Sequence, residues 1–254
     1  MREIMLRVLG WRMLLLNSDP PVLDRWLWLR KSLKRGPERA FDAGCGNGAF
    51  SMYAAELGNR VLAASFSSDE QDAARHRADV LGLAGIDFRI LDLRELESHR
   101  DSLGTFDQII CLETIEHVID DGGLMTSLGR MLEPGGQLLL TTPFAGHRPL
   151  YTEDPNPSGV EDGSHVRFGY TQAQLARLAH DAGLDVVEQS FVTGVLSQKL
   201  TSLMRRLTSR LGLLPAWIIV LPLRAVVIVD RPVTRMLRYP YMCVALRGVK
   251  RPSS

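Results

Sequence analysis

Short apolar runs alternate with amphipathic stretches along most of the chain. Residues 40–43, 61–66, 86–91, 106–111 and 137–142 are apolar runs of strand length. Between them, residues 49–57, 69–81 and 120–132 carry apolar positions at helical spacing; the first two stop at Gly58 and Gly82, the third at Glu133-Pro134-Gly135-Gly136. Short continuous strands separated by helices predict a parallel sheet covered on both faces. A helix over 171–182, capped by Thr171 and ended by Gly183, a strand over 185–191 and a last strand over 241–247 complete the pattern. Ahead of the sheet, residues 1–16 form a basic amphipathic stretch. Residues 19–35 form a second, with Asp19 as N-cap, Pro20 and Pro21 in its first turn and Gly36-Pro37 at its end. The chain accordingly divides into N-terminal helices (1–38), an α/β core (39–194), a basic apolar helical insertion (195–240) and a final strand with its tail (241–254). The polar stretch 143–170 is long enough to be a lid over a site.

Charge sharpens this division. The net charge of +1 conceals an acidic core and a basic end: residues 40–194 hold ten Lys/Arg against 24 Asp/Glu, and residues 195–254 hold eleven against one. Within the basic end, residues 211–229 carry one charge, Arg224, in nineteen residues. A membrane span needs about 20 apolar residues, but Pro215, Pro222 and Arg224 interrupt this one. Arg205, Arg206 and Arg210 precede it, Arg231, Arg235 and Arg238 follow, and Trp217 lies inside, a composition that suits an anionic membrane surface. The competing reading is an insertion packed over the N-terminal helices. Arg7 and Arg12 interrupt the N-terminal apolar run and no small-residue cleavage site follows, which argues against a signal peptide. Cys45, Cys111 and Cys243 are isolated and form no CxxC, so a disulfide framework and a zinc ribbon are excluded, and a reducing, cytoplasmic setting is expected, peripheral to the membrane if the basic end binds lipid. The acidic core and the lack of a base-flipping motif argue against a nucleic-acid partner.

The chemistry is concentrated in Phe41-Asp42-Ala43-Gly44-Cys45-Gly46-Asn47-Gly48-Ala49, where a strand enters a glycine-dense turn that opens a helix. Glycines there allow positive φ and close approach of a ligand to the main chain. Gly44-x-Gly46-x-x-Ala49 also fits a dinucleotide fingerprint. Asp42 before the first glycine opposes a pyrophosphate and favours a cation, and the next strand ends in Ala64-Ser65-Phe66 without a ribose-binding acid.

The loop resembles motif I of the class I S-adenosylmethionine-dependent methyltransferases. The likeness continues through Phe106–Cys111, Leu112-Glu113-Thr114-Ile115-Glu116-His117-Val118, Leu132-Glu133-Pro134-Gly135-Gly136 and His165-Val166-Arg167-Phe168-Gly169-Tyr170-Thr171. Together these cover about residues 38–191 and are similar to the bacterial group that includes ubiquinone-pathway O-methyltransferases and sugar, lipid and natural-product methyltransferases. The resemblance implies a Rossmann-like seven-stranded sheet of order 3-2-1-4-5-7-6 with the last strand antiparallel. It also implies S-adenosyl-L-methionine as cofactor and methyl transfer to a small-molecule, lipid-linked or glycan-linked acceptor at oxygen. The implied cofactor residues are Asp42, Gly44, Cys45, Gly46 and Gly48 around the methionine part, Ser65 and Phe66 at the ribose and adenine edge, Asp92 and Leu93 at the adenine, and Cys111 and Leu112 beneath the sulfonium. Ser65 stands where the family has an acid, so Asp69 or Glu70 is expected to reach in. For Cys111 the competing reading is a buried small hydrophobe. An NAD(P)-dependent oxidoreductase and a non-catalytic scaffold of the same fold remain the alternatives.

Methyl transfer from a sulfonium is an in-line displacement that gains mainly from alignment, and a hydroxyl acceptor gains further from a general base. His165 is the first candidate base and His147 the second, since both flank the 143–170 loop; His117, just past the fourth strand, is the third. Tyr151 and Tyr170 are candidates to position an acceptor. No metal is expected: Glu113-x-x-Glu116-His117 lacks the second histidine of a zinc motif, and Glu153, Asp154, Glu161 and Asp162 read as solvated loop. Nothing in the sequence fixes the oligomeric state.

Overall fold

The computed structural model describes residues 2–148 and 157–252. Its centre is one seven-stranded sheet of order β3-β2-β1-β4-β5-β7-β6. The strands are β1 (Arg39–Ala43), β2 (Arg60–Ser65), β3 (Ile86–Ile90), β4 (Phe106–Leu112), β5 (Leu132–Pro143), β6 (Leu184–Val192) and β7 (Cys243–Lys250). β1 pairs in parallel with β2 and β4, β2 with β3 and β4 with β5, while β7 runs antiparallel to both β5 and β6. The strand order reverses between β1 and β4, and a crevice opens beyond the carboxyl ends of strands at such a switch point.

Strand side chains alternate between two cores because their period is two. Phe41, Ala43, Ile109, Leu138 and Leu140 face one buried cluster, whereas Ala40, Ile110 and Leu139 face the other. The first core is covered by α6 (Leu96–Leu103), α7 (Asp121–Arg130) and α8 (Gln172–Asp181). The second is covered by the N-terminal helices α1 (Arg2–Leu9), α2 (Arg12–Asn17) and α3 (Pro20–Ser32), with α4 (Ala49–Glu56) and α5 (Ser68–Leu81). Helix boundaries follow local chemistry. The Ser67 side chain accepts from Glu70 N at the start of α5, Gly82 ends it at φ +63°, and Thr171 with Gln174 forms a capping box on α8.

The N-terminal segment breaks at Gly10 (φ +63°), so it folds as three helices where the pattern predicts two. The turn 133–136 lies inside an extended β5, where a bulge separates the Phe106–Leu132 pair from Gln108–Gln137. The last strand starts at Cys243 and reaches Lys250.

Between β6 and β7 the chain forms α9 (Val195–Leu211), α10 (Leu213–Val220), a 3-10 stretch (Pro222–Val229) and α11 (Asp230–Met236). This insertion docks on α2: Trp217 Nε1 donates to Leu16 O at 2.8 Å, and the Arg224 guanidinium donates to Leu15 O at 2.8 Å and to Ser18 O. Among the described residues no single helix is long and apolar enough to cross a membrane; α10 and the stretch after it are bent by 49°.

Candidate active site

The loop after β1 is tied to the end of β2 by bonds from Gly44 N and Cys45 N to Ala64 O, at 3.0 and 2.8 Å. Its glycines have different reasons. A Cβ on Gly44 would sit 2.4 Å from Thr114 Oγ1, and one on Gly48 would sit 2.9 Å from the Ala74 Cβ, so both serve packing. A Cβ on Gly46 (φ +48°) would meet no atom within 4 Å, because this residue faces open space.

That space is a cavity of about 280 Å³ at the switch point. Gly44 and Gly46 form one wall; Ser65, Phe66 and Glu70 stand at the end of β2, Asp92, Leu93 and Arg94 after β3, and Glu113, Thr114 and His117 after β4. The structure thus brings together Gly44, Gly46, Ser65, Phe66, Asp92, Leu93 and His117 of the expected residues. Four of the others lie one layer behind. Asp42 is buried and accepts from Ser51 Oγ at 2.5 Å; burial pushes its carboxyl up to about 6 against the lowering effect of that bond. Cys45 is buried with its Sγ 3.3 Å from Gln71 Nε2, and burial pushes its thiol up. Cys111 and Leu112 are adjacent strand residues that point to opposite cores, so neither lines the cavity. Gly48 supports the α4–α5 contact instead of the cavity wall.

The end of β2 does present a carboxylate. Ser65 Oγ donates to Glu70 Oε2 at 2.9 Å, which holds the first-turn acid of α5 against the cavity. Asp92 is held below the usual carboxylate range by its bonds to Arg94, and Arg94 also pairs with Glu161 at 3.2 Å. Glu161 additionally accepts from Ile119 N at 2.5 Å, so this residue of the expected solvated run clamps the loop across the cavity. Glu70, Asp92, Glu113 and Glu161 outnumber Arg94 on the wall and Arg25 behind Glu113, which leaves the cavity acidic. That electrostatic sign fits a cationic ligand and opposes a pyrophosphate. The open face of Gly46 and the acidic walls fit S-adenosylmethionine.

The β4 end carries the densest polar network. Glu113 stands at φ +53°, accepts from Thr141 Oγ1 at 2.9 Å and pairs with Arg25 of α3 at 3.3 Å. Arg25 escapes the sequence reading; the signal is a charged pair, Asp24-Arg25, inside the otherwise apolar run 20–29 of α3. Glu116 is fully buried. Its Oε2 accepts from Thr142 Oγ1 at 3.1 Å, Oε1 has no hydrogen-bond partner, and burial with the nearby Glu113 raises its carboxyl.

The histidines separate. His117 lines the cavity, with Nδ1 3.1 Å from Ser164 O, and its ring meets that of His165 edge-on at 4.7 Å. His147 turns back on its own chain, Nδ1 2.6 Å from Phe144 O, and is not among the residues lining the cavity. Tyr170 donates to Asp121 at 2.7 Å and is buried away from the cavity. Tyr151, Glu153 and Asp154 lie outside the described residues. The expectation of no metal rested on a missing second histidine, and the fold supplies one. Ligand atoms of Glu116, His117 and His165 lie within 4.8 Å of one another, a set able to hold a divalent cation.

Comparison with known proteins agrees with this geometry. The methyltransferase-domain family matches residues 22–189. A ubiquinone biosynthesis O-methyltransferase of Dechloromonas aromatica is 30% identical over 169 residues, covering 63% of this chain and 70% of that protein. One of Thiobacillus denitrificans is 26% identical over 198 residues, covering 75% and 81%. The Xanthomonas oryzae enzymes of the same name align over 104 residues, so this chain spans 42% of their length. Among solved structures, an S-adenosylmethionine-dependent methyltransferase of Mesorhizobium loti superposes with a TM-score of 0.58 at 20% identity, covering 92% of this chain and all of that one. The N-methyltransferase NodS of Bradyrhizobium japonicum, solved with S-adenosyl-L-homocysteine, superposes at 0.57 and 16% identity, covering 92% and 90%. The oxidoreductase and scaffold alternatives find no support here, and the chain belongs to the methyltransferase-domain family as a class I S-adenosylmethionine-dependent methyltransferase.

Proposed function

We propose that the enzyme methylates a hydroxyl oxygen of a small or lipid-linked acceptor, with His117 as the proton acceptor. The observation that carries this is the setting of His117 on the cavity wall. With Nδ1 against Ser164 O, Nε2 is the nitrogen left to take a proton, and it lies 4.0 Å from Glu116 Oε1, a carboxyl that can share the charge formed. His165, the first candidate in the sequence, packs against that ring and orients it. Bound S-adenosylmethionine supplies an electrophilic methyl group. The residues of this chain do the rest: the Gly46 face admits the cofactor, Glu70, Asp92 and Glu113 provide negative potential, and the Glu161–Arg94 clamp excludes water. The names of the ubiquinone-pathway relatives support oxygen as the methylated atom. Three buried free thiols support a cytoplasmic setting.

The test is transfer of labelled methyl from the cofactor to a panel of phenolic, sugar and lipid hydroxyl acceptors. His117→Ala should lower kcat by about 10²–10⁴ and change cofactor affinity far less. Unaltered turnover removes His117 from the chemistry.

A second reading is favoured by Glu116 Oε1, which completes no hydrogen bond and lies 4.0 Å from His117 Nε2. There, Glu116, His117 and His165 hold a divalent cation that binds the acceptor oxygen. Chelation separates the two. The base reading expects full activity in excess EDTA, and the cation reading expects loss restored by magnesium or manganese.

A further inference from the structure

We propose that the insertion between β6 and β7 docks the protein on the surface of an anionic lipid bilayer. The insertion is folded with inverted polarity. Its one internal cation, Arg224, is 3% exposed and bonded to the carbonyls of Leu15 and Ser18, although burial works against its charged form. Ala216, Val220 and Val227 are buried beside it, but a second set of aliphatic side chains points the other way: Leu214, Ile218 and Ile228 are 60%, 58% and 78% exposed. A helical segment covered by water on its outer side has the opposite arrangement. Arg224 and the bond from Trp217 to Leu16 fix the inward face on α2, so rolling the segment to hide its aliphatic side would break both anchors.

Charge selects the occupant. The single acid of the insertion, Asp230, is 1% exposed and accepts from Leu196 N, Ser197 N and Thr234 Oγ1. Every solvent-facing ionic group of residues 195–240 is therefore a cation, with Arg206 and Arg210 before the apolar stretch and Arg235 and Arg238 after it. Exposed aliphatic side chains on an insertion whose own exposed charges are all cationic match acyl chains beneath phosphate headgroups. The eight residues of α10 extend about 12 Å at 1.5 Å per residue, and the 49° bend follows, so the segment suits the interfacial plane rather than a crossing.

The insertion also leaves and re-enters the sheet at the end that carries the site. β7 begins at Cys243, whose Sγ lies 3.5 Å from Glu113 Oε2 on the cavity side. The docked insertion is therefore joined to the sheet at the end that carries the site. Only access to a lipid-linked acceptor rests on the proposed function; lipid binding does not.

The experiment is flotation of the full chain with vesicles of phosphatidylcholine alone or mixed with phosphatidylglycerol, alongside its light-scattering mass in solution. The proposal expects at least about tenfold stronger binding to the anionic vesicles, weakened by salt. It expects loss of binding in the double variant Ile218→Asp and Ile228→Asp with circular dichroism and cofactor affinity unchanged. Because both residues are exposed, the variant should fold; Arg206→Glu with Arg235→Glu gives a second route to the same loss. Failure to float with either vesicle, equal binding to both, or retained binding in the aspartate variant overturns the proposal. So does a dimer in solution that the same aspartates dissociate, which would assign the face to a second copy. Methyl transfer to a soluble acceptor, measured in parallel, keeps a failure of docking separate from a failure of the proposed chemistry.

Discussion

Asp24 offers a direct test of how the N-terminal helices and the insertion are held together. It sits on α3 against the start of α9, beside a cavity it shares with Arg30, Lys31, Asp230 and Arg231. Burial pushes its carboxyl from 3.8 up to about 7; the nearby Asp230 adds to the rise, while the Ser197 and Thr193 hydroxyls and Arg25 only partly offset it. The Ser197 and Thr193 hydroxyls lie near enough to Asp24 to favour its charge, but neither reaches hydrogen-bond geometry, and Asp24 Oδ2 has no partner. A raised acid destabilises the fold as pH climbs. The folded and unfolded chains bind this proton equally below pH 3.8, the folded chain alone retains it between 3.8 and about 7, and the ionised form is then imposed on a buried site. At about 1.4 kcal/mol per pH unit, the full penalty above neutrality is about 4 kcal/mol. Asp24→Asn keeps the shape and removes the charge. The variant should match the wild type near pH 4, gain steadily through pH 5–7 and be more stable by about 4 kcal/mol at pH 8. Urea unfolding of both proteins across that range measures the difference, and the contribution of Asp42 cancels because both proteins carry it. A difference that does not change with pH, or an asparagine variant less stable at pH 8, refutes the reasoning.

Gly46→Val should reduce cofactor affinity by more than a hundredfold in calorimetry while costing about 1–2 kcal/mol of stability, since φ of +48° disfavours a side chain but the space around it is open. Glu70→Gln should weaken cofactor binding about tenfold or more through loss of a charge-assisted hydrogen bond. Ser65→Asp should weaken it as well, because the new carboxylate would face Glu70 at the distance where Ser65 now donates; tighter binding by Ser65→Asp would show that Glu70 is not the acid used. Arg224→Leu leaves the Leu15 and Ser18 carbonyls unpaired, which costs about 1–3 kcal/mol for each group, and limited proteolysis should then cut within 195–240 faster than in the wild type.

The sheet was legible because each strand is a short apolar run with a turn signal at its end, and the order of the motifs carried the topology. Depth within the site was not legible. Asp42, Cys45, Cys111 and Leu112 flank the cavity in sequence, yet strand alternation and the tight loop turn their side chains into the cores. The acid at the end of β2 is legible only as a choice between Asp69 and Glu70, because it enters from the next helix; the bond from Ser65, five residues earlier, places Glu70 there. Arg25 was hidden for a different reason: its partner Glu113 is 88 residues away, and no local pattern announces a contact that only tertiary packing creates.

The same limit governs the histidines. Glu113-x-x-Glu116-His117 is an incomplete motif by spacing alone, and His165, a candidate base by its place in the loop, is joined to that motif by no spacing in the sequence. The backbone bond from Val166 N to Glu116 O, at 3.0 Å, registers the loop against the β4 end and sets the two imidazoles edge to edge. Chemistry at this site is therefore a property of the loop's docking rather than of either segment. Whatever releases residues 157–170 from Glu116, Ile119 and Arg94 also takes His165 from His117.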